Sequence, residues 1–261
     1  MDRRNIEKIA KTPEDSLLLA KLWDKIQTGM RKNVPANTCF LTPREQELAN
    51  FLFGNTQGLC TFGGYEDSER KMIVFLPDYL DSSFLLEAES PVACLQINWY
   101  AQDTLSHRDF LGALMGAGIA RESIGDICVA EGSAIVFVAS EIAPYLLENF
   151  SSAGRTKLHI EQVSVADAQI PTPEYQEIRD TVASIRLDSI ISSGFRIGRS
   201  LASQYVCAGK AAIDGLPCEK PDKPVPEGAK ISVRGLGKIR LAQINGKTKK
   251  DRFSVTIQKY I

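Results

Sequence analysis

Residues 185–215 read IRLDSIISSGFRIGRSLASQYVCAGKAAIDG, and this stretch decides the C-terminal fold. Leu187, Ile190 and Ile191 recur at helical spacing, and Gly194 supplies a stop. A second helix follows, with Leu201, Tyr205 and Ala208 as its apolar stripe and Gly209 as its stop. Arg199 and Ser203 lie at i, i+4 on the face away from that stripe, and Arg196 falls in the turn just before it. A tight strand comes next. Cations thus gather at a helix N-terminus, where free backbone N–H groups also favour an anion such as a phosphate.

Charge points the same way. Residues 186–261 carry 15 Lys and Arg against 6 Asp and Glu, a net of +9, while residues 1–185 carry a net of −10. The whole chain is nearly neutral, at −1. A basic module on an acidic body is the electrostatic footprint of a nucleic-acid binder. The spacing R-L-D (186–188), R-x-x-A (199–202) and G-K-x-x-I-D-G (209–215) resembles the ribosomal-protein-S-four type (αL) RNA-binding domain. Gly198 departs from that pattern, which has Ser before the Arg.

At 261 residues the chain has room for two or three domains, with an ordinary globular balance of 44% hydrophobic and 24% charged residues. The start, MDRRNIEKIAK, has no apolar segment of the signal-peptide kind, and the apolar run 134–139 is far too short to span a membrane. The expectation is a cytoplasmic protein with no membrane partner. The cysteines at 39, 60, 94, 128, 207 and 218 form no C-x-x-C and read as small buried hydrophobes. With only His107 and His159, neither a metal site nor a cofactor is expected.

The pattern along the chain is α+β. Residues 1–90 read as an α/β domain: a helix from Ile6 to Met30, then a capping box at Thr42-Pro43-Arg44-Glu45 opening a helix through Phe53. CTFGGYEDSERKMIVFLP (60–77) follows as strand, polar turn, strand, with Gly63 and Gly64 as backbone devices and Tyr65 as a packing residue. Residues 91–166 read β-α-β-β-α-β, a ferredoxin-like (RRM-like) arrangement: a strand 92–100, a helix capped by Ser106, a hairpin across Glu131-Gly132-Ser133, a helix capped by Ser140, and a strand 157–165. RNA-recognition domains of this topology stack bases on central-strand aromatics, and here the third strand offers only Phe137. Residues 167–183, with Pro171 and Pro173, read as a linker that could add an extended strand, and 184–261 as the S-four-type domain. In that domain Asn245-Gly246 signals a hairpin turn.

The assembled motifs are PREQ (43–46), FGGYEDSERK (62–71), P-x-Y (77–79), HRDFLGALMGAGIARESIGDI (107–127), TVASIRLD (181–188), ISVRGLGK (231–238) and G-x-TKKDR (246–252). With these the chain resembles the bacterial YlmH family over nearly every residue from 40 onward. The resemblance implies an α/β domain, a ferredoxin-like domain and an αL domain. It further implies a non-enzymatic, ribosome-associated RNA binder linked to quality control of large subunits that still hold peptidyl-tRNA.

An enzyme is the competing reading, because αL domains are often appended to RNA-modifying enzymes such as pseudouridine synthases or methyltransferases. A synthase motif would make Asp188 catalytic, but the residues after Arg186-Leu187-Asp188 run one too long before Ser192-Ser193-Gly194 and suit a helix better. Gly112, Gly116 and Gly118 lie in or just after a helix, the wrong place for a nucleotide-binding loop. No catalytic residue is therefore assigned. The expected partners are ribosomal RNA, tRNA or both, on the large ribosomal subunit. The expected RNA contacts from the αL core are Arg186, Arg196, Arg199, Ser200, Ser203, Gln204, Lys210, Arg234 and Lys238. Lys247, Lys249, Lys250 and Arg252 are expected to add a second basic contact on the hairpin.

Overall fold

Thr-Pro steps set the first helices of the structure, a computed structural model that describes residues 5–54, 56–100, 102–172, 174–248 and 251–260. Pro173, Lys249 and Lys250 lie outside the described residues. The single helix expected from Ile6 to Met30 is two, α1 (Ile6–Ile9) and α2 (Pro13–Lys32). The chain restarts because Thr12 accepts from the Asp15 N–H (3.1 Å) and Pro13 takes the first helical turn, where it needs no N–H partner. Thr42 and Glu45 close the capping box of α3 (Pro43–Phe53). Arg44 reaches back to Asp15 as a bidentate pair at 2.9 and 2.8 Å, tying the starts of α2 and α3 together. Both helices pack on a small antiparallel sheet of β1 (Ala36–Asn37), β2 (Leu59–Phe62) and β3 (Met72–Phe75), in the order β1-β3-β2, through Leu19, Ile26, Leu52 and Ile73.

The next elements are β4 (Val92–Asn98), α4 (His107–Gly116), β5 (Ile124–Ala130), β6 (Ser133–Ala139), α5 (Ala143–Asn149), a short hairpin β7 (Ser152–Ala153) and β8 (Thr156–Lys157), and β9 (His159–Val163). The antiparallel order is β5-β6-β4-β9, with the first and third long strands central. Alternate residues Leu95, Ile97, Val136 and Val138 pack under Phe110 and Leu114 of α4 and Leu146 of α5. Ser140 does not cap α5: it opens a 3₁₀ turn, 140–142, and α5 starts at Ala143 without a side-chain cap.

The other face of this sheet is covered too. Cys94, Ile135 and Phe137 pack with Phe40, Met72 and Val74 of the N-terminal layer. Gly64 lies so close that a Cβ there would come within 2.2 Å of the Phe137 ring, and its φ is +100°. Tyr65 stacks on the same ring (centroids 5.3 Å) and donates to Asp126 (2.9 Å), which also accepts from the Glu69 and Arg70 N–H groups. The Arg70 guanidinium donates to the carbonyls of Ile124 and Phe40, both at 2.9 Å. The motif FGGYEDSERK is thus the joint between the first and second layers. A Phe137 fully buried under Gly64 and Tyr65 has no face left for a base.

The chain folds as two compact units, 1–171 and 172–261. The second unit holds β10 (Tyr175–Val182), α6 (Leu187–Phe195), α7 (Arg199–Cys207), β11 (Ala211–Ile213), β12 (Leu216–Pro217), β13 (Lys230–Val233), β14 (Gly237–Lys247) and β15 (Phe253–Tyr260). Its antiparallel sheet runs β10-β15-β14-β13-β11-β12. The second half of the stretch read as linker is therefore strand: β10 pairs with β15 from Tyr175↔Tyr260 to Val182↔Phe253. Ile178 and Val182 join the core formed by Leu187, Ile190, Ile191, Ile239 and Ile257.

Other expectations are corrected. Gly194 is not the stop of α6; that residue is Arg196, left-handed at φ 53°. Gly194 is needed inside the helix, where a Cβ would meet Ile239 Cδ1 at 2.7 Å. The buried stripe of α7 is Ala202 and Val206, and Leu201 is 43% exposed, because the close α6–α7 packing admits small residues. Asn245-Gly246 does not make the turn. It sits inside β14 where the register shifts between Ile244 and Lys247, a bulge that uses Gly246 at φ 93°. The turn comes later, closed by the Thr248 N–H to the Arg252 carbonyl at 2.7 Å. Cys207 is exposed, unlike the buried hydrophobe expected.

Two outcomes test this fold. A fragment 184–261 lacks β10 and should be less stable than 172–261 by about 3 kcal/mol or more, the burial of Ile178 and Val182, in urea denaturation. Equal stability would mean that β10 is a passive edge. The Arg44 guanidinium beside Asp15 holds its carboxyl below the ordinary 3.8. Its contribution is then complete above that value and is lost as pH falls through the lower folded value. Asp15→Asn should destabilise at neutral pH and flatten the acid limb of a melting-temperature profile; an unchanged limb would contradict the pairing.

Candidate nucleic-acid interface

Asp188 organises the basic face of the second unit. It lies in the first turn of α6 and is 4% exposed. Arg186, at the N-cap of α6, reaches it at 3.3 and 3.4 Å, and Arg199, the first residue of α7, at 3.0 Å. A carboxylate taken out of water needs such partners. The backbone N–H groups of Leu187 and Asp188 are taken by the carbonyls of Lys223 and Pro221, so the start of α6 is closed. α7 starts differently: its N-cap is Gly198, which has no side chain to cap the helix.

Beside this end lies a concavity of about 330 Å³, lined by Ser189, Ser192, Ser193, Arg196, Arg199, Asp180, Thr181 and Arg252 among others. Asp180 is engaged by the Ser193 hydroxyl at 2.7 Å. Arg252 donates to the Thr181 hydroxyl at 3.2 Å and to the Thr181 carbonyl, which anchors the end of β15 against β10. Arg252 is expected on a separate hairpin contact; the structure brings it to the rim that Arg196 and Arg199 share. Ser189, Ser192 and Ser193 are not among the expected contacts. Their signal is in the sequence: with Arg196 they fall at i, i+3, i+4 and i+7, a polar stripe on one face of α6.

The other expected residues fall elsewhere. Ser200 and Gln204 are exposed on α7, and Ser203 is half-buried. Lys210 sits over the Tyr205 ring at 5.3 Å, and its carbonyl accepts from the Arg234 N–H, which places those two residues together beyond α7. Lys238 is next to buried Ile239 on β14 and so points to the opposite sheet face. Lys247 pairs with Asp251 at 2.6 Å. The Arg199 side chain faces solvent at 52% exposure and spends one edge of its guanidinium on Asp188.

Against known proteins, residues 90–167 match the family model described as "Putative RNA-binding domain in YlmH". The chain is also 33% identical, over 85% of its own length and 86% of the other's, to the Bacillus subtilis (strain 168) protein named "Ribosome-associated protein quality control protein P2". The chain belongs to the YlmH family. A solved structure named "Cell division protein ylmH from Streptococcus pneumoniae" aligns at a TM-score of 0.48 and 23% identity, over 60% of this chain and 96% of that one. The YlmH model covers the central βαββαβ layer, whereas the arginine cluster lies outside it in the second unit.

The shared carboxylate predicts non-additivity. Arg199→Ala leaves Asp188 with Arg186 and should cost about 1 kcal/mol, the net worth of an ordinary hydrogen bond. Arg186→Ala should cost a similar amount. The double variant strands a buried charge and should lose about 1–2 kcal/mol beyond the sum in urea denaturation. Additive losses would show that Asp188 does not depend on the pair.

Proposed function

We propose that this chain is a cytoplasmic, ribosome-associated RNA-binding factor of translation quality control, acting by docking and without catalysis. The observation that carries the reading is the Arg196, Arg199 and Arg252 rim beside the uncapped start of α7. Guanidinium forks next to a helix N-terminus with no side-chain cap suit an anion such as a phosphate. The +9 balance of residues 186–261 supplies the long-range attraction. In this reading residues 184–261 are an S-four-type αL domain extended by β10, residues 91–166 a ferredoxin-like domain, and residues 1–90 an α/β domain that covers its open sheet face. The relative from Bacillus subtilis carries ribosome association and quality control in its name. The partner is ribosomal RNA or tRNA on the large subunit.

Docking is favoured over RNA modification by the state of Asp188. A synthase-type R-L-D aspartate must reach its substrate, whereas this one is buried and held by Arg186 and Arg199. The central layer is a poor electrostatic match for RNA: residues 90–167 carry 4 Lys and Arg against 9 Asp and Glu. Its sheet face is closed by the N-terminal layer. The main contact is therefore assigned to the second unit.

The reading predicts a steep dependence on salt. Neutralising about five phosphates gives a log–log slope of affinity against salt of roughly −3.5 to −4.5. Arg196→Ala should reduce that slope by about one phosphate's share. A slope near zero in a fluorescence titration with ribosomal RNA would remove this surface as the binding site. In sucrose gradients the protein should migrate with large subunits and leave them at high salt; migration with small subunits alone would refute the choice of subunit.

A further inference from the structure

We infer that the helix-free face of the second unit's sheet is a second RNA contact, a stacking platform for single-stranded nucleotides. In β10, β14 and β15 the residues facing the core are Ile178, Val182, Ile239, Leu241, Val255 and Ile257. Their neighbours along each strand project from the other face. There Tyr175 and Tyr260 are directly paired across the strands and meet edge to face, centroids 4.8 Å apart and planes at 75°. Lys238 Nζ lies 5.6 Å from the centre of the Tyr260 ring. Both rings are half-buried, so each is held by its surroundings and still meets solvent.

The charge around the rings selects the occupant. The next cross-strand row is Glu177, Gln258, Arg240 and Lys230, and Arg179 follows on β10. Glu177 is the acid in these rows, and Arg179 neutralises it at 2.7 Å. Arg240, which also donates to the Gly228 carbonyl at 3.2 Å, and Lys230 lie on the same side. A phosphate chain running across these cations would bring successive bases over the tyrosines. Aromatic rings flanked by Lys and Arg on an exposed sheet bind single strands by stacking, with little dependence on sequence. A duplex keeps its bases stacked inside and cannot use the rings. This proposal rests on the RNA-binding reading and adds a second, strand-selective surface to the arginine rim.

The test uses the full chain with a labelled mixed-sequence single-stranded RNA of about 12 nucleotides, within the site sizes of single-strand binders, and a duplex of the same sequence. Tyr260→Leu should weaken single-strand binding about fivefold or more, the low end of the stacking loss for one base, and leave duplex binding unchanged. Tyr260→Phe keeps the ring and should restore single-strand affinity, which a lost hydroxyl contact would not do. If Tyr260→Leu fails to fold, the exposed pair Arg179→Gln and Arg240→Gln should produce the same selective loss. Unchanged single-strand affinity in these variants, with Arg199→Ala still weakening RNA, overturns the sheet-face site and leaves the proposed function standing. Absence of RNA binding by the unaltered protein overturns both. Loss of ribosome migration in Tyr260→Leu with single-strand affinity intact also overturns the proposal and gives the face to a ribosomal protein.

Discussion

The pairing of Asp188 with Arg186 and Arg199 sets the shape of the second unit's basic face. A carboxylate at the start of α6 would be unstable there without cations, and those cations come from the N-cap of α6 and the first turn of α7. One anion thus fixes the beginnings of both helices. The same pairing holds each guanidinium in a defined orientation while leaving much of it in solvent, with side chains 38% and 52% exposed. A fork already held in place loses less entropy when it grips a phosphate. The atoms that hold Asp188 are therefore also those of the proposed phosphate grip.

The first unit shows a different division of labour. The longest motifs of the family resemblance meet at Asp126, where Tyr65, Glu69 and Arg70 converge. They join two sheets. Burial of Phe137, Cys94 and Ile135 between those sheets stabilises the joint and closes the face that an RNA-recognition domain would use. The central layer is also acidic, with 4 Lys and Arg against 9 Asp and Glu over residues 90–167.

In the second unit, β10 changes what the sheet can do. It covers one side of β15 along its whole length and brings Tyr175 beside Tyr260. It also carries Thr181, which anchors Arg252 at the rim of the concavity. The segment that reads as a linker is therefore part of the proposed recognition machinery.

Much of this was legible in the sequence because it depends on neighbours along the chain. The capping box at Thr42, the βαββαβ order, the helix pair at 187–207 and the charge polarity are all local patterns, and they appear where the residues place them. Arg186 and Arg199 meet at Asp188, and Arg196 and Arg199 line one concavity. What the sequence could not decide are choices settled by packing between distant residues. Arg196 rather than Gly194 ends α6 because Gly194 is taken by Ile239, 45 positions away. Ala202 and Val206 face fully inward while Tyr205 packs at the edge of the core and Leu201 points out, although both stripes satisfy helical spacing. Asn245-Gly246 has the chemistry of a turn, but cross-strand pairing with β15 runs past it and leaves a bulge. Arg252 joins the arginine rim only because β10 and β15 lie side by side. Local propensity determines which elements form; which of several equally periodic faces is buried is decided by the shape of the surface packed against it.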